Sequence, residues 1–214
     1  MEKIRRTSIL VDNDSWILPY AKKLIADIEN LNLSCSLVRN ENDIPPGDVC
    51  FFLGCTKIVS DSALNLNSLN LVVHESDLPK GKGFSPMAWQ ILDNKKEIIF
   101  TLLEASSNFD SGRIWLQSNL QLDGHELCDE WRDLQGKKTQ EICLSFLKEY
   151  ENLTPKEQIG TESFFRRRTS KDSEIDTRKS INELFPILRV VDNERYPAYF
   201  VKDGVKYKIK IEKS

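Results

Sequence analysis

The stretch Leu69-Asn70-Leu71-Val72-Val73-His74-Glu75-Ser76-Asp77-Leu78-Pro79-Lys80-Gly81-Lys82-Gly83-Phe84-Ser85-Pro86 decides how this chain is read. Its first five residues form an apolar run of strand length, and Pro79, Gly81 and Gly83 forbid continuation soon after. His74 therefore stands at a strand exit. Side chains alternate across a strand, so Val72, His74 and Ser76 point to one face while Val73 and Glu75 point to the other. A second turn follows at Asp110-Ser111-Gly112. An imidazole and a carboxylate meeting at strand ends can move protons around a carbonyl addition. The chain has two histidines. The other, His125, lies in the polar stretch Asp123-Gly124-His125-Glu126, which reads as a solvated turn.

Outward from this stretch, apolar runs alternate with helical patterns, which predicts an α/β fold. Strands are expected at 8–11, 32–38, 48–53, 69–74, 97–103 and 113–117. The apolar residues Ile17, Tyr20, Ala21, Leu24, Ile25 and Ile28 recur at helical spacing and predict a helix over 15–31, capped by Asp14 or Ser15. A long helix is expected over 124–150. The architecture is a Rossmann-like, mostly parallel sheet with helices on both faces. Asn152, Pro155 and Gly160 then signal turns. They divide the chain into a main domain, 1–152, and a small subdomain, 153–214, with a helix over 181–191 and a hairpin around Asp203-Gly204.

The formal charge of −3 argues against broad phosphate-backbone binding and so against a nucleic-acid partner. Its distribution is uneven: residues 156–214 carry fourteen Lys and Arg against ten Asp and Glu, with Arg166, Arg167 and Arg168 consecutive. Arginines so placed suit an anionic substrate. Five cysteines, an odd number without metal-ligand spacing, read as reduced and structural. No apolar run reaches the roughly eighteen residues of a membrane span, and the start lacks a secretory pattern. A cytoplasmic protein is expected, with no membrane partner and a homodimer left open.

In open sheets of this kind ligands gather at the carboxyl ends of the strands. The first such exit, Asp12-Asn13-Asp14-Ser15-Trp16, is expected at a helix N-terminus, where Asn13, Ser15 and the backbone amides suit a phosphate and Trp16 can stack on a base or sugar.

The string HESDLPKGKGFSP resembles the His-x-Ser-x-Leu-Pro-x-x-Arg-Gly loop of the folate-dependent formyltransferases, and FDSG the Asp-Thr-Gly turn that accompanies it. FFLGCTKI at 51–58 and SPMAWQIL at 85–92 occupy the places of a core strand and a helix of that family. FFRRRTSKDSEID and RYPAYFVKDGVKYKIKI are similar to the tail of its enzymes that formylate amino sugars or methionyl-tRNA. The resemblance runs from about residue 48 to the end. It implies formyl transfer from 10-formyltetrahydrofolate to a primary amine, with His74 and Asp110 as catalytic residues and Ser76 beside them. It also implies that the donor lies against the 80–84 and 103–110 segments, at Lys82, Gly83, Phe84, Leu103, Ser106 and Asn108. The short, acidic chain, without room for a separate tRNA-gripping barrel, favours a nucleotide-linked deoxy-amino sugar as acceptor. That substrate would lie near residues 12–16 and Arg166, Arg167 and Arg168. Glycinamide ribonucleotide and methionyl-tRNA are the alternative acceptors, and a non-catalytic folate- or nucleotide-sugar-binding module is the alternative class.

The family pattern departs at one position. It has asparagine two residues before the histidine, whose amide the resemblance implies as the donor to the developing oxyanion, and this chain has Val72. Ser76, Asn108 or a backbone N–H of the 80–84 loop could supply that donor instead.

Overall fold

The computed structural model describes residues 3–106 and 108–214. In chain order the elements are β1 (Arg6–Leu10), α1 (Leu18–Glu29), β2 (Ser34–Val38), β3 (Gly47–Phe52), α2 (Asp61–Leu64), β4 (Asn67–His74), β5 (Lys82–Gly83), α3 (Pro86–Leu92), β6 (Glu97–Glu104), β7 (Ile114–Gln121), α4 (Cys128–Glu149), β8 (Phe164–Phe165), α5 (Ile181–Val190), β9 (Ala198–Lys202) and β10 (Val205–Ile209). Six strands form a sheet in the order β2-β1-β3-β4-β6-β7. The first four are parallel, β6 runs antiparallel to β4, and β7 antiparallel to β6. This is the expected Rossmann-like sheet, and its parallel half brings four strand exits to one edge.

Period-two alternation builds the two faces. Ile9, Phe51, Leu71 and Leu102 point toward α1 and α4, where they meet Ala21, Leu24, Ile28, Ile142 and Phe146 in the main core. Leu10, Cys50, Phe52 and Val72 point the other way and pack under Ala63 of α2 in a thinner layer. The ring of Phe51 meets Phe146 edge to face at 6.3 Å, an arrangement aromatic pairs favour.

The first helix starts later than its periodicity predicts. Its N-cap is Ile17, without a side-chain cap. Pro19 explains the shift, because its fixed φ and missing N–H suit the first turn. Asp14 pairs instead with Arg39 at 2.8 Å.

Beyond α4 the chain does not run off as a free linker at its turn signals. Lys156 bridges Ile114, and β8 pairs in parallel with β5, Phe164 against Lys82 and Phe165 against Gly83. We call residues 156–168 the strap, because they return across the glycine loop that follows β4. The remainder has its own small core of Ile175, Leu184, Leu188, Val191 and Ala198. Its hairpin turns through Asp203 and Gly204, both at positive φ, as a two-residue turn matching strand twist requires. Arg189 at the end of α5 donates to Glu126 at 2.8 Å, both side chains buried. Among the described residues no helix is long and apolar enough to cross a membrane.

Candidate active site

The exits of β1, β3 and β4, the β6–β7 connection and the strap line a cavity of about 570 Å³. His74 ends β4 on its wall and is buried. Its Nε2 stands 2.7 Å from the carbonyl oxygen of Gly81. A carbonyl only accepts, so Nε2 carries a proton and the tautomer is anchored. The other ring nitrogen, Nδ1, stands 3.5 Å from Asp110 Oδ1. That separation suits an ion pair once the ring is protonated and is long for a direct hydrogen bond.

Asp110 sits at φ +48°, a conformation Asp tolerates better than most side chains. Its Oδ2 accepts from the Gly83 N–H at 2.8 Å, and its carbonyl accepts from Gln158 of the strap, also at 2.8 Å. Two glycines make this close approach feasible. A Cβ on Gly83 would lie 2.4 Å from the Phe165 carbonyl oxygen, and one on Gly112 would lie 1.9 Å from that of Glu104. Lys82 is buried and donates to Ser111 Oγ at 2.9 Å and to Glu162. It therefore ties the Asp110 turn to the strap and does not line the cavity, contrary to the expectation of donor contact.

The other end of the cavity reaches under α4. Arg132, Gln135 and Thr139 of that helix line it, and their i, i+3, i+7 spacing puts them on one face. Glu75 also lines it and accepts from Gln135 Nε2 at 2.7 Å. Burial raises the Glu75 carboxyl above its ordinary pKa, against the pull of His74 and the Gln135 hydrogen bond. Arg132 pairs with Asp192 at 2.8 Å. Arg168 donates to the Val190 carbonyl, and burial pulls its guanidinium below its ordinary value. Two guanidiniums thus share this end with the carboxylates of Asp192 and Glu75.

Of the residues expected at the site, His74, Asp110, Gly83, Phe84, Leu103, Ser106, Asn108, Trp16, Arg167 and Arg168 line the cavity. The others do not. Ser76 is buried with its hydroxyl unpartnered among the described residues. The Asn13 amide is taken by Asp12 and the Gly54 carbonyl, and Ser15 Oγ is buried beside Gly54. These two residues precede the helix start, so neither offers a phosphate the helix terminus expected of them. Arg166 turns away, pairs with Asp172 and lies over the Trp89 ring at 4.7 Å. Arg167 covers the Phe84 ring at 4.5 Å on the rim. Sequence reading missed Glu75, Gln135, Arg132 and Asp192. No sequence motif marks them, and Arg132 and Gln135 are brought together only by their shared face of α4.

The position left by Val72 can now be examined, since that side chain lines the cavity. Every backbone N–H from 80 to 84 is engaged: Lys80 by Asp77, Gly81 and Lys82 by Ser163, Gly83 by Asp110 and Phe84 by Phe165. Ser76 lies behind the wall. Asn108 remains, exposed on the cavity two residues before Asp110, and its side-chain amide makes no hydrogen bond among the described residues.

No protein-family model matches the chain. It is 27% identical over 157 residues to the bifunctional polymyxin resistance protein ArnA of Wigglesworthia glossinidia brevipalpis, covering 67% of this chain and 23% of that protein. It is 22% identical over 169 residues to the methionyl-tRNA formyltransferase of Malacoplasma penetrans, covering 76% of this chain and 53% of that one. The chain thus spans about half or less of the curated relatives it matches. Among solved structures, methionyl-tRNA formyltransferase from Clostridium thermocellum superposes with a TM-score of 0.81 at 19% identity, covering 97% of this chain and 92% of that one. A 4-N formyltransferase from Francisella tularensis gives 0.72 at 20% identity, over 97% of both chains. HypX from Aquifex aeolicus in complex with tetrahydrofolic acid gives 0.77 at 14% identity, over 98% of this chain and 38% of that one. The fold is that of the formyltransferases.

Proposed function

We propose that this chain is a folate-dependent N-formyltransferase acting on the primary amine of a nucleotide-linked deoxy-amino sugar. The observation that carries the reading is the meeting of His74 Nδ1 and Asp110 Oδ1 on the wall of one cavity, with His74 Nε2 anchored by Gly81. The fold shared with formyltransferases and the relatives at 27% and 22% identity support it.

The cavity suits 10-formyltetrahydrofolate as donor. It has an apolar wall of Val72, Leu103 and Ala105, with the exposed ring of Phe109 at the rim. When bound, the donor supplies the formyl carbon. His74 Nδ1, positioned by the Gly81 carbonyl, passes a proton between the attacking and leaving nitrogens, and Asp110 stabilises the imidazolium this requires. Asn108 replaces the family's asparagine as the amide donor to the formyl oxygen. Arg167 and Arg168 line the cavity, and their guanidiniums suit a diphosphate.

The test is turnover. Protein, 10-formyltetrahydrofolate and a panel of amino-sugar nucleotides are mixed and free tetrahydrofolate is followed by absorbance. Release that depends on an amino sugar supports the reading. Release only with glycinamide ribonucleotide or methionyl-tRNA would replace the acceptor, and binding of both ligands without release would favour a non-catalytic module.

A further inference from the structure

We propose that Glu75 binds the acceptor's ammonium group and takes its first proton, delivering the neutral amine that attacks. The inference rests on the formyl-transfer reading above and adds a residue to it.

An amine bound as ammonium cannot attack until it loses a proton, so the site needs a base besides the group that serves the leaving nitrogen. Asp110 is poorly placed for this. One of its oxygens accepts from the Gly83 N–H and the other faces His74. Imidazole Nε2 is held by the Gly81 carbonyl. Glu75, the residue after His74, offers a carboxylate on the cavity wall. Two helices hold it there: Gln90 of α3 donates to its backbone carbonyl at 2.6 Å, and Gln135 of α4 donates to Oε1 at 2.7 Å. Among the described residues the carboxylate receives only Gln135 and its own backbone N–H, and no Lys or Arg lies within ion-pair distance of it. A half-buried anion fixed by amides and lacking a cation is suited to receive one from a ligand. Its raised pKa makes it a better base than an exposed carboxylate.

The proton balance closes. The ammonium gives one proton to Glu75, which later releases it to solvent. The amine nitrogen bonds to the formyl carbon, the bond from that carbon to the donor nitrogen breaks, and His74 carries the second amine proton to the departing nitrogen. Products are the formamide, tetrahydrofolate and one released proton.

The experiment compares wild type with Glu75→Gln, which keeps the shape and can still meet Gln135. Binding is read first, by calorimetry, with tetrahydrofolate present so that no transfer occurs. The probes are an amino-sugar nucleotide active in the panel above, or dTDP-4-amino-4,6-dideoxyglucose if none is, and the matching hydroxy-sugar nucleotide. Wild type should bind the amine at least about tenfold more tightly than the variant, in line with loss of a charge-assisted contact, and both proteins should bind the hydroxyl compound equally. The rate is read second. Acceptor kcat/KM should fall about a hundredfold or more near neutral pH, and the deficit should shrink as pH rises and the amine becomes neutral without help. The other groups facing this end are His74, Asp110, Arg132, Arg168 and Asp192, all unchanged in the variant. Equal amine binding by the two proteins, or parallel pH profiles within threefold of each other, overturns the role of Glu75. Amine-selective binding lost in the variant but without turnover in wild type keeps Glu75 and removes the transferase reading. If wild type binds neither compound, both fall.

Discussion

At the scale of single residues, the site separates groups that act from groups that hold. His74 and Asp110 face each other across 3.5 Å with each partly fixed by the glycine loop. His74→Ala and Asp110→Ala should each lower turnover at least about a hundredfold, with circular dichroism unchanged. Turnover within a few-fold of wild type for both would sink the assignment. The amide at Asn108 gives a sharper test because the family's own position is occupied by Val72. Asn108→Ala should lower kcat by about two to three powers of ten. Adding Val72→Asn to that variant should recover part of the loss, since the new amide would enter the same cavity from the strand side. A double variant no better than Asn108→Ala would leave the oxyanion without the donor argued for it.

At the scale of elements, the strap divides its three arginines between two tasks. Arg168 lines the cavity while Arg166 is engaged by Asp172 and Trp89. Arg168→Ala should therefore raise the acceptor's KM by about ten- to a hundredfold with little change in kcat, because that contact is made equally in ground and transition states. Arg166→Ala should lower the melting temperature and leave both KM values alone. Steady-state kinetics on each variant, with thermal melts alongside, tells the two apart. These elements also show what a sequence can reveal. Strand alternation around Phe51, Leu71 and Val72 is a local pattern imposed by burial on two faces, so the sheet, the exit of His74 and the Asp110 turn were all legible. The pairing of β5 with β8 was not, since two residues carry no periodicity and their register is set by Gly83 meeting Phe165 across the fold. Lys82 looked like a ligand contact for the same reason: its partner Glu162 is eighty residues away. Glu75 was read only as pointing to the opposite face, and the cavity wraps around the strand end to reach it.

At the scale of the whole molecule, the two regions are joined by buried carboxylates. Burial pushes Glu126 up, but the N–H groups of its own residue, Asp123 and Gly124 and the Arg189 guanidinium outweigh this and hold it below the usual range. Asp192 is lowered too, burial again opposed by the Arg195 N–H, Arg132 and the Glu194 N–H. A carboxylate depressed in the folded state stabilises fully above its unfolded value, about 4, and that contribution is lost as pH falls through the folded value. Melting temperature should therefore drop as pH is taken from 6 toward 3. Glu126→Ala should cost about 3–5 kcal/mol at neutral pH, because it strands a buried guanidinium. It should also flatten part of the acid dependence, as thermal melts at a series of pH values would reveal.

The strap has a further consequence in time. Gly81 and Ser163, whose hydrogen bond helps hold the glycine loop, are 82 residues apart. A ribosome adding about 5–20 residues each second needs about 4–16 s to travel between them. During that interval the parallel strands can already assemble, while the carbonyl that anchors His74 lacks its support from the strap. The nascent chain can therefore form its parallel sheet before the loop that anchors His74 meets the strap, two steps separated in time.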